Sequence, residues 1–178
     1  MAFNINEMRA KLTGGGARSA LFSVNVFNPV DGRADDDIRF MAKAASLPGS
    51  NIPATEVYYF GRRLPLAATS RTYEPWTITV INDENFNVRA AFEEWSKRIN
   101  TPTGNIRDMA TASDSEYQSV AEVTQYSKTG EVLRVYRFEG IWPTNISAIE
   151  TSWDNGNAIE EFQVTFEYVY WTVVGESS

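Results

Sequence analysis

The chain has 178 residues, 43% apolar and 13% aromatic, enough for one sizeable core and too apolar for intrinsic disorder. It contains no cysteine and no histidine, which excludes disulfides, thiolate zinc sites and thiol catalysis and removes the commonest general base and metal ligand. The net charge of −7 is uneven: residues 108–178 hold 12 acidic and 3 basic side chains, residues 1–107 hold 11 and 13, a balance that argues against gripping DNA through a basic stripe.

The opening residues Met1-Ala2-Phe3-Asn4-Ile5 predict no signal peptide, and no apolar run is long enough to span a bilayer. A single domain over 1–178 is expected, with an N-terminal arm over 1–18. Gly14-Gly15-Gly16 lacks a following Gly-Lys-Ser/Thr, so it reads as a flexible linker rather than a phosphate loop. Ala20–Phe27 alternates Phe22, Val24 and Val26 with Ser23 and Asn25. Ile38–Ala45 alternates Ile38, Phe40 and Ala42 with Arg39, Met41 and Lys43. These two runs predict a hairpin turning at Pro29 and Asp31-Gly32. Asp35-Asp36-Asp37 lacks the ligand spacing of a calcium loop and reads as a solvated turn.

Residues 46–75 form a long irregular segment around a short strand-like run, Thr55–Phe60, and loops of that length are usually functional or disordered. Trp76–Ile81 predicts a strand. A helix is predicted over 82–100: Asn82-Asp83-Glu84 supplies the cap, and Val88, Phe92, Trp95 and Ile99 form one apolar stripe. Glu93 with Lys97 and Glu94 with Arg98 are favourably ordered i,i+4 pairs on its outer face.

After a polar linker at 101–116, Tyr117–Tyr126 and Val132–Phe138 predict a hairpin around Lys128-Thr129-Gly130. A final pair is expected at Ile146–Trp153 and Ile159–Val173, turning at Asp154-Asn155-Gly156-Asn157. The last run places Phe162, Val164, Phe166, Tyr168 and Tyr170 on one face and Glu161, Gln163, Thr165 and Glu167 on the other.

Seven or eight strands and one helix predict a mainly β fold, a two-sheet sandwich or barrel with one flanking α-helix. Long strands leave edges, and edges that lack protection predict pairing with further chains. No enzyme chemistry is expected. Hydroxyl nucleophiles have no histidine to activate them, and Glu160-Glu161 point to opposite faces of a strand. No cofactor is implied. Trp76, Trp142, Trp153 and Trp171 with Tyr168 and Tyr170 are aromatic enough for base stacking, but acidic surroundings favour core packing and subunit contacts. Arg62, Arg63 and Arg71 are expected to meet an acidic surface of a neighbouring subunit.

An ordered set of pieces then carries a family resemblance. These are Leu47-Pro48; Gly61-Arg62 with Pro65; Arg71-Thr72; Trp76-Thr77-Ile78-Thr79-Val80; Asn82-Asp83-Glu84 with Arg89, Phe92 and Trp95; Gln125-Tyr126; Gly140-Ile141-Trp142-Pro143-Thr144-Asn145; Trp153-Asp154; and Tyr170-Trp171. Over roughly residues 20–172 the chain resembles the tail tube proteins of contractile-tailed bacteriophages. The N-terminal arm, the 101–116 linker and the tail Gly175–Ser178 depart from the pattern.

The resemblance implies a β-barrel-like subunit similar to type VI secretion tube proteins, closing as hexameric rings that stack into a hollow tube inside a contractile sheath. It implies as partners the sheath, the baseplate tube-initiator and the tail terminator, with a tape-measure protein and viral DNA in the lumen without specific binding. The place implied is the virion, after assembly in the host cytoplasm. On this reading Glu161, Gln163, Thr165 and Glu167 line the lumen. Should their strand lie in the outer sheet, Ser23 and Asn25 replace them. Residues 46–75 reach the next ring with Arg62, Arg63 and Arg71, and Glu93, Glu94, Lys97 and Arg98 are candidates to face the sheath. The rivals are a tube-initiator of the same fold and a carbohydrate-binding β-sandwich.

Overall fold

The computed structural model describes residues 5–107, 113–154 and 156–175. Four positions or stretches of the readings above therefore lie outside it: the first four residues of the arm, the centre of the 101–116 linker, Asn155 of the predicted turn, and the last three residues. The elements in chain order are α1 (Ile5–Lys11), β1 (Phe22–Val26), α2 (Asp35–Met41), β2 (Ala42–Ala45), β3 (Ala54–Tyr59), β4 (Arg62–Ala67), β5 (Trp76–Ile81), α3 (Asn87–Ile99), α4 (Asp114–Tyr117), β6 (Ser119–Tyr126), β7 (Val132–Ile146), β8 (Glu161–Glu167) and β9 (Tyr170–Val173).

Two antiparallel sheets share one long strand. Residues of β7 up to Ile141 pair β6, which pairs β1, while β9 pairs β7 at Tyr136–Glu139. From Trp142 onward β7 pairs β8 instead, and β8 continues through β5 to β2. Alternation decides what each sheet buries. In the first sheet Val24, Val123 and Tyr136 share one row and Val26, Ala121, Phe138 and Trp171 the next. In the second, Trp76, Ile78 and Val80 stand opposite Phe166, Val164 and Phe162. The two inner faces meet where the Trp76 ring stacks on Phe138 with centroids 4.4 Å apart.

Helix α3 covers this core with Val88, Phe92 and Trp95 of the predicted stripe buried, joined by Ala91, and with Ile99 half-buried against it. Phe92 and Trp95 both meet the Phe166 ring, and Trp95 Nε1 donates to Tyr117 O at 2.8 Å. The helix begins at Asn87 rather than Asn82, and its cap differs from the expectation. Asn82 is buried and donates to Glu160 Oε2 at 2.9 Å, and it is Asp83 Oδ1 that accepts the first helical N–H, from Asn87.

Several predicted elements are corrected. The run from Ile38 is helical to Met41, because three aspartates open its first turn and only Ile38 of the helix is buried, while Phe40 points to solvent. The predicted solvated turn Asp35-Asp36-Asp37 is therefore helical, with Asp35 accepting the Asn28 backbone N–H at 3.1 Å. The predicted first hairpin is absent: β1 pairs β6, and β2 pairs β5.

No strand forms over 147–153; the chain there is irregular, and β8 takes its neighbours from β7 and β5. The last run divides at Tyr168-Val169, so its parity resets and Tyr170 is exposed while Trp171 packs inward. The single helix of the expectation is joined by three short ones of seven, seven and four residues, and the mainly β two-sheet architecture stands.

Candidate functional site

The segment over 46–75 is an arm. β3 and β4 pair from Ala54↔Ala67 to Tyr59↔Arg62, the turn uses Phe60 and Gly61 at φ 45 and 75, and every residue of both strands is exposed. The arm has two unlike faces. Val57 and Leu64 lie opposite one another, flanked by Thr55 with Leu66 and Tyr59 with Arg62, which makes an apolar face. The other face is tied together by ions: Arg63 pairs with Glu56, and Tyr58 Oη donates to Glu56 Oε2 at 3.0 Å. Phe60 at the tip is 92% exposed. A two-stranded hairpin alone is marginal in water, and each such apolar side chain gains about 1.5–3 kcal/mol when covered.

The three arginines thus divide. Arg63 is engaged inside its own hairpin, Arg62 stands on the apolar face, and Arg71 lies beyond the arm in the return segment, exposed. The alternation of the strand explains the separation of Arg62 from Arg63, which the sequence places side by side.

The outer face of the second sheet carries Glu161, Gln163, Thr165 and Glu167 together on β8. Thr165 Oγ1 lies 3.1 Å from Thr77 Oγ1, Gln163 stands opposite Thr79, and Thr165 stands opposite Asn145. Glu161 is not a free charge: Lys43 Nζ, two strands away, lies 2.5 Å from its carboxylate. The band is therefore one of short hydroxyl and amide groups with one paired and one further carboxylate. The outer face of the first sheet is more charged. Asn25, Glu122, Arg137 and Thr172 share one row there, and Arg137 lies 3.7 Å from Glu122 and 2.7 Å from Glu139.

On α3 the outward charges pair along the helix. Glu93 accepts from Arg89 at 2.9 Å, and Glu94 lies 3.9 Å from Lys97 and 3.7 Å from Arg98. The expected Glu93–Lys97 pair gives way to Arg89–Glu93. Glu93, Glu94, Lys97 and Arg98, with Asp31 and Asp37, line a groove of about 730 Å³ between α3 and the segment preceding and opening α2. Asp35, beside that groove, has its pKa raised by burial first, partly offset by the Asn28 N–H, with Asp36 and Asp31 adding to the rise.

The two glutamates at 160 and 161 have separate partners, Asn82 and Lys43. Among the described residues no group of three or more carboxylates could hold a metal ion. Sequence reasoning missed the two-faced character of the arm. The signal lay in Val57, Tyr59, Leu64 and Leu66, readable once Phe60-Gly61 is taken as the turn.

The fold and these surfaces define a structural β-sandwich subunit with an uncovered arm and open strand edges. The family model for phage tail tube protein matches residues 12–174. The chain is 32% identical to tail tube protein gp19 of Enterobacteria phage T4 over 164 residues, 92% of this chain and 95% of that one. It is 24% identical to the tail tube protein of Serratia phage KSP90, over 92% and 93% of the two chains. Among solved structures, a chain of the anti-feeding prophage baseplate superposes with a TM-score of 0.64 at 11% identity, covering 89% of this chain and 95% of that one. A chain of the sheath–tube complex of an extracellular contractile injection system gives 0.58 at 12% identity, over 97% and 98%. The chain belongs to the phage tail tube protein family. Its role is structural, as a component of the tail tube, and its place is the virion.

Proposed function

We propose that six copies close into a ring, that rings stack into a hollow tube inside a contractile sheath, and that the tube conducts the viral genome into the host. The observation that carries this reading is the arm: an apolar hairpin face whose residues are all exposed in the single subunit. A second copy in the next ring supplies that covering, with Arg62 and Arg71 reaching acidic groups beside it. Head-to-tail contacts close rings when their rotation permits, and the edges at β1, β2 and β9 offer backbone groups for lateral pairing.

In this assembly the β8 band of Glu161, Gln163, Thr165 and Glu167 lines the lumen. Its support is chemical: Lys43, which reaches the band from β2, is held by Glu161, so this cation is not free to hold phosphate and DNA passes without adhering. The α3 charges Glu93, Glu94, Lys97 and Arg98 face the sheath. The tube-initiator and terminator meet the two ends of the tube, and the tape-measure protein occupies the lumen before DNA does. Assembly takes place in the host cytoplasm, and the protein catalyses no reaction.

Negative-stain microscopy of the purified protein tests the reading. Six-fold rings and tubes at high concentration are expected, and Val57→Asp with Leu64→Asp should leave rings but abolish tubes. Particles that stay monomeric under crowding would overturn it.

A further inference from the structure

Every residue of β3 and β4 is exposed, so the direction of the arm is decided chiefly at its base. There Tyr73 of the returning limb packs against Tyr168 of the sandwich, with ring centroids 5.6 Å apart. Asn51 and Thr72 exchange backbone hydrogen bonds of 3.0 and 2.9 Å, and Ala68 N donates to Pro53 O at 2.9 Å. These bonds hold the two limbs of the arm to each other but not to the sandwich. Two tryptophan N–H groups make the link to the sandwich on the entering limb. Trp76 Nε1 donates to Ser46 O at 2.9 Å, and Trp171 Nε1 donates to Gly49 O at 3.0 Å across 122 residues of sequence.

The two tryptophans differ in what else they do. Trp76 is buried and stacks on Phe138, so it serves the core in its own right. Trp171 is only half-buried, sits on the short strand β9, and leans on Tyr136 with ring centroids 5.6 Å apart. Its indole N–H reaches out of the sheet to Gly49, next to a residue pair that begins the arm. Gly49 has open space where a side chain would stand, so no side chain of its own steadies that limb.

We propose that Trp171 is a positioning residue for assembly: its indole N–H fixes the angle between arm and subunit body, and so sets the geometry in which one ring receives the next. This rests on the reading of the arm as the stacking element. A hydrogen bond of ordinary net strength changes an equilibrium by roughly three- to tenfold, and that is the rise expected in the concentration at which tubes form when the donor is lost. Trp171 also belongs to the strand at the open edge of the first sheet. A neighbour pairing with β9 would therefore steady the Trp171–Gly49 hydrogen bond.

Trp171→Phe removes the donor and keeps a ring against Tyr136. The chain has no cysteine, so Phe60→Cys and Lys97→Cys can be spin-labelled without background, and the distance between arm tip and α3 read in dilute, unassembled subunits. The expected result is a narrow distance distribution that broadens with Trp171→Phe, an unchanged melting temperature, and a threshold for tube formation raised roughly three- to tenfold. An unchanged distribution or threshold would overturn the proposal, as would a variant that no longer melts cooperatively, since Trp171 would then hold the sheet rather than the arm. The stacking reading is tested separately by Val57→Asp with Leu64→Asp. Tubes surviving that pair would sink the stacking role itself, whatever Trp171 does.

Discussion

A Cβ placed on Gly140 would stand 2.6 Å from Val169 Cγ2. Gly140, at φ 67, sits in the register irregularity just before β7 leaves one sheet for the other, and Val169 is where the chain crosses from β8 to β9. The two crossings are stitched together, since Val169 N donates to Glu139 O at 3.0 Å. Gly140→Ala meets both a left-handed backbone, costing about 1–2 kcal/mol, and an overpacked contact, costing about 1–3 kcal/mol. Denaturant unfolding should show a loss of roughly 2–5 kcal/mol. Adding Val169→Ala should recover the steric part alone, and a double-mutant cycle with no coupling would show that the corner is not packed as described.

Trp95 closes the helix onto the sandwich. It is fully buried, meets the Phe166 ring, and donates its N–H to Tyr117 O. Trp95→Ala should destabilise the subunit by about 3–5 kcal/mol through lost burial and the cavity left behind. Trp95→Phe should retain much of the packing but leave the Tyr117 carbonyl without this donor, for a loss of about 1–3 kcal/mol. A variant as stable as the parent in calorimetry would contradict the packing.

The legible parts of the fold were those with unambiguous periods. Phe162, Val164 and Phe166 alternate cleanly and lie buried on β8, and Val88, Phe92 and Trp95 step by helical turns and lie buried on α3. Ile38, Phe40 and Ala42 also alternate, yet that run is too short for its period to outweigh the three aspartates before it. Topology was the illegible part. Pairing of β1 with β6 and β2 with β5 joins residues about a hundred and about forty apart, and local turn signals carry no information about such partners. The site divided the same way. Alternation put Glu161, Gln163, Thr165 and Glu167 on one face, while the Lys43–Glu161 pair depends on β5 lying between their strands.

Asp35 gives the fold a pH dependence of defined sign. Its folded pKa is raised from 3.8, burial being the main cause. Below the unfolded value both states hold the proton and Asp35 contributes nothing. As pH rises through the window from there to the raised folded value, the folded state must give up a proton it holds more tightly, and stability is lost. Asp35→Asn keeps an oxygen to accept the Asn28 N–H and cannot ionise. Its melting temperature relative to the parent should therefore rise between about pH 3 and about pH 7. A gap that stays constant, or moves the other way, would mean that Asp35 ionises without cost.

The lumen reading makes the most demanding prediction. Lys43 and Glu161 form an exposed pair, worth at most about 1 kcal/mol to stability, so breaking it should not prevent folding. Its electrostatic consequence is larger. Glu161→Lys removes an anion, adds a cation and releases Lys43 from its partner, so the wall beside β8 gains two free cations per subunit. Glu167→Lys adds a third. If the band lines the channel, the double variant should still form rings and tubes, but genome release should slow. The slowing should be strongest at low ionic strength, since added salt weakens phosphate contacts steeply. Dye-reported DNA release from particles carrying the variant, measured across a salt series, checks this. Release that matches the parent at every salt concentration would place the band on the outside of the tube, and the row of Ser23 and Asn25 would then be the wall to test.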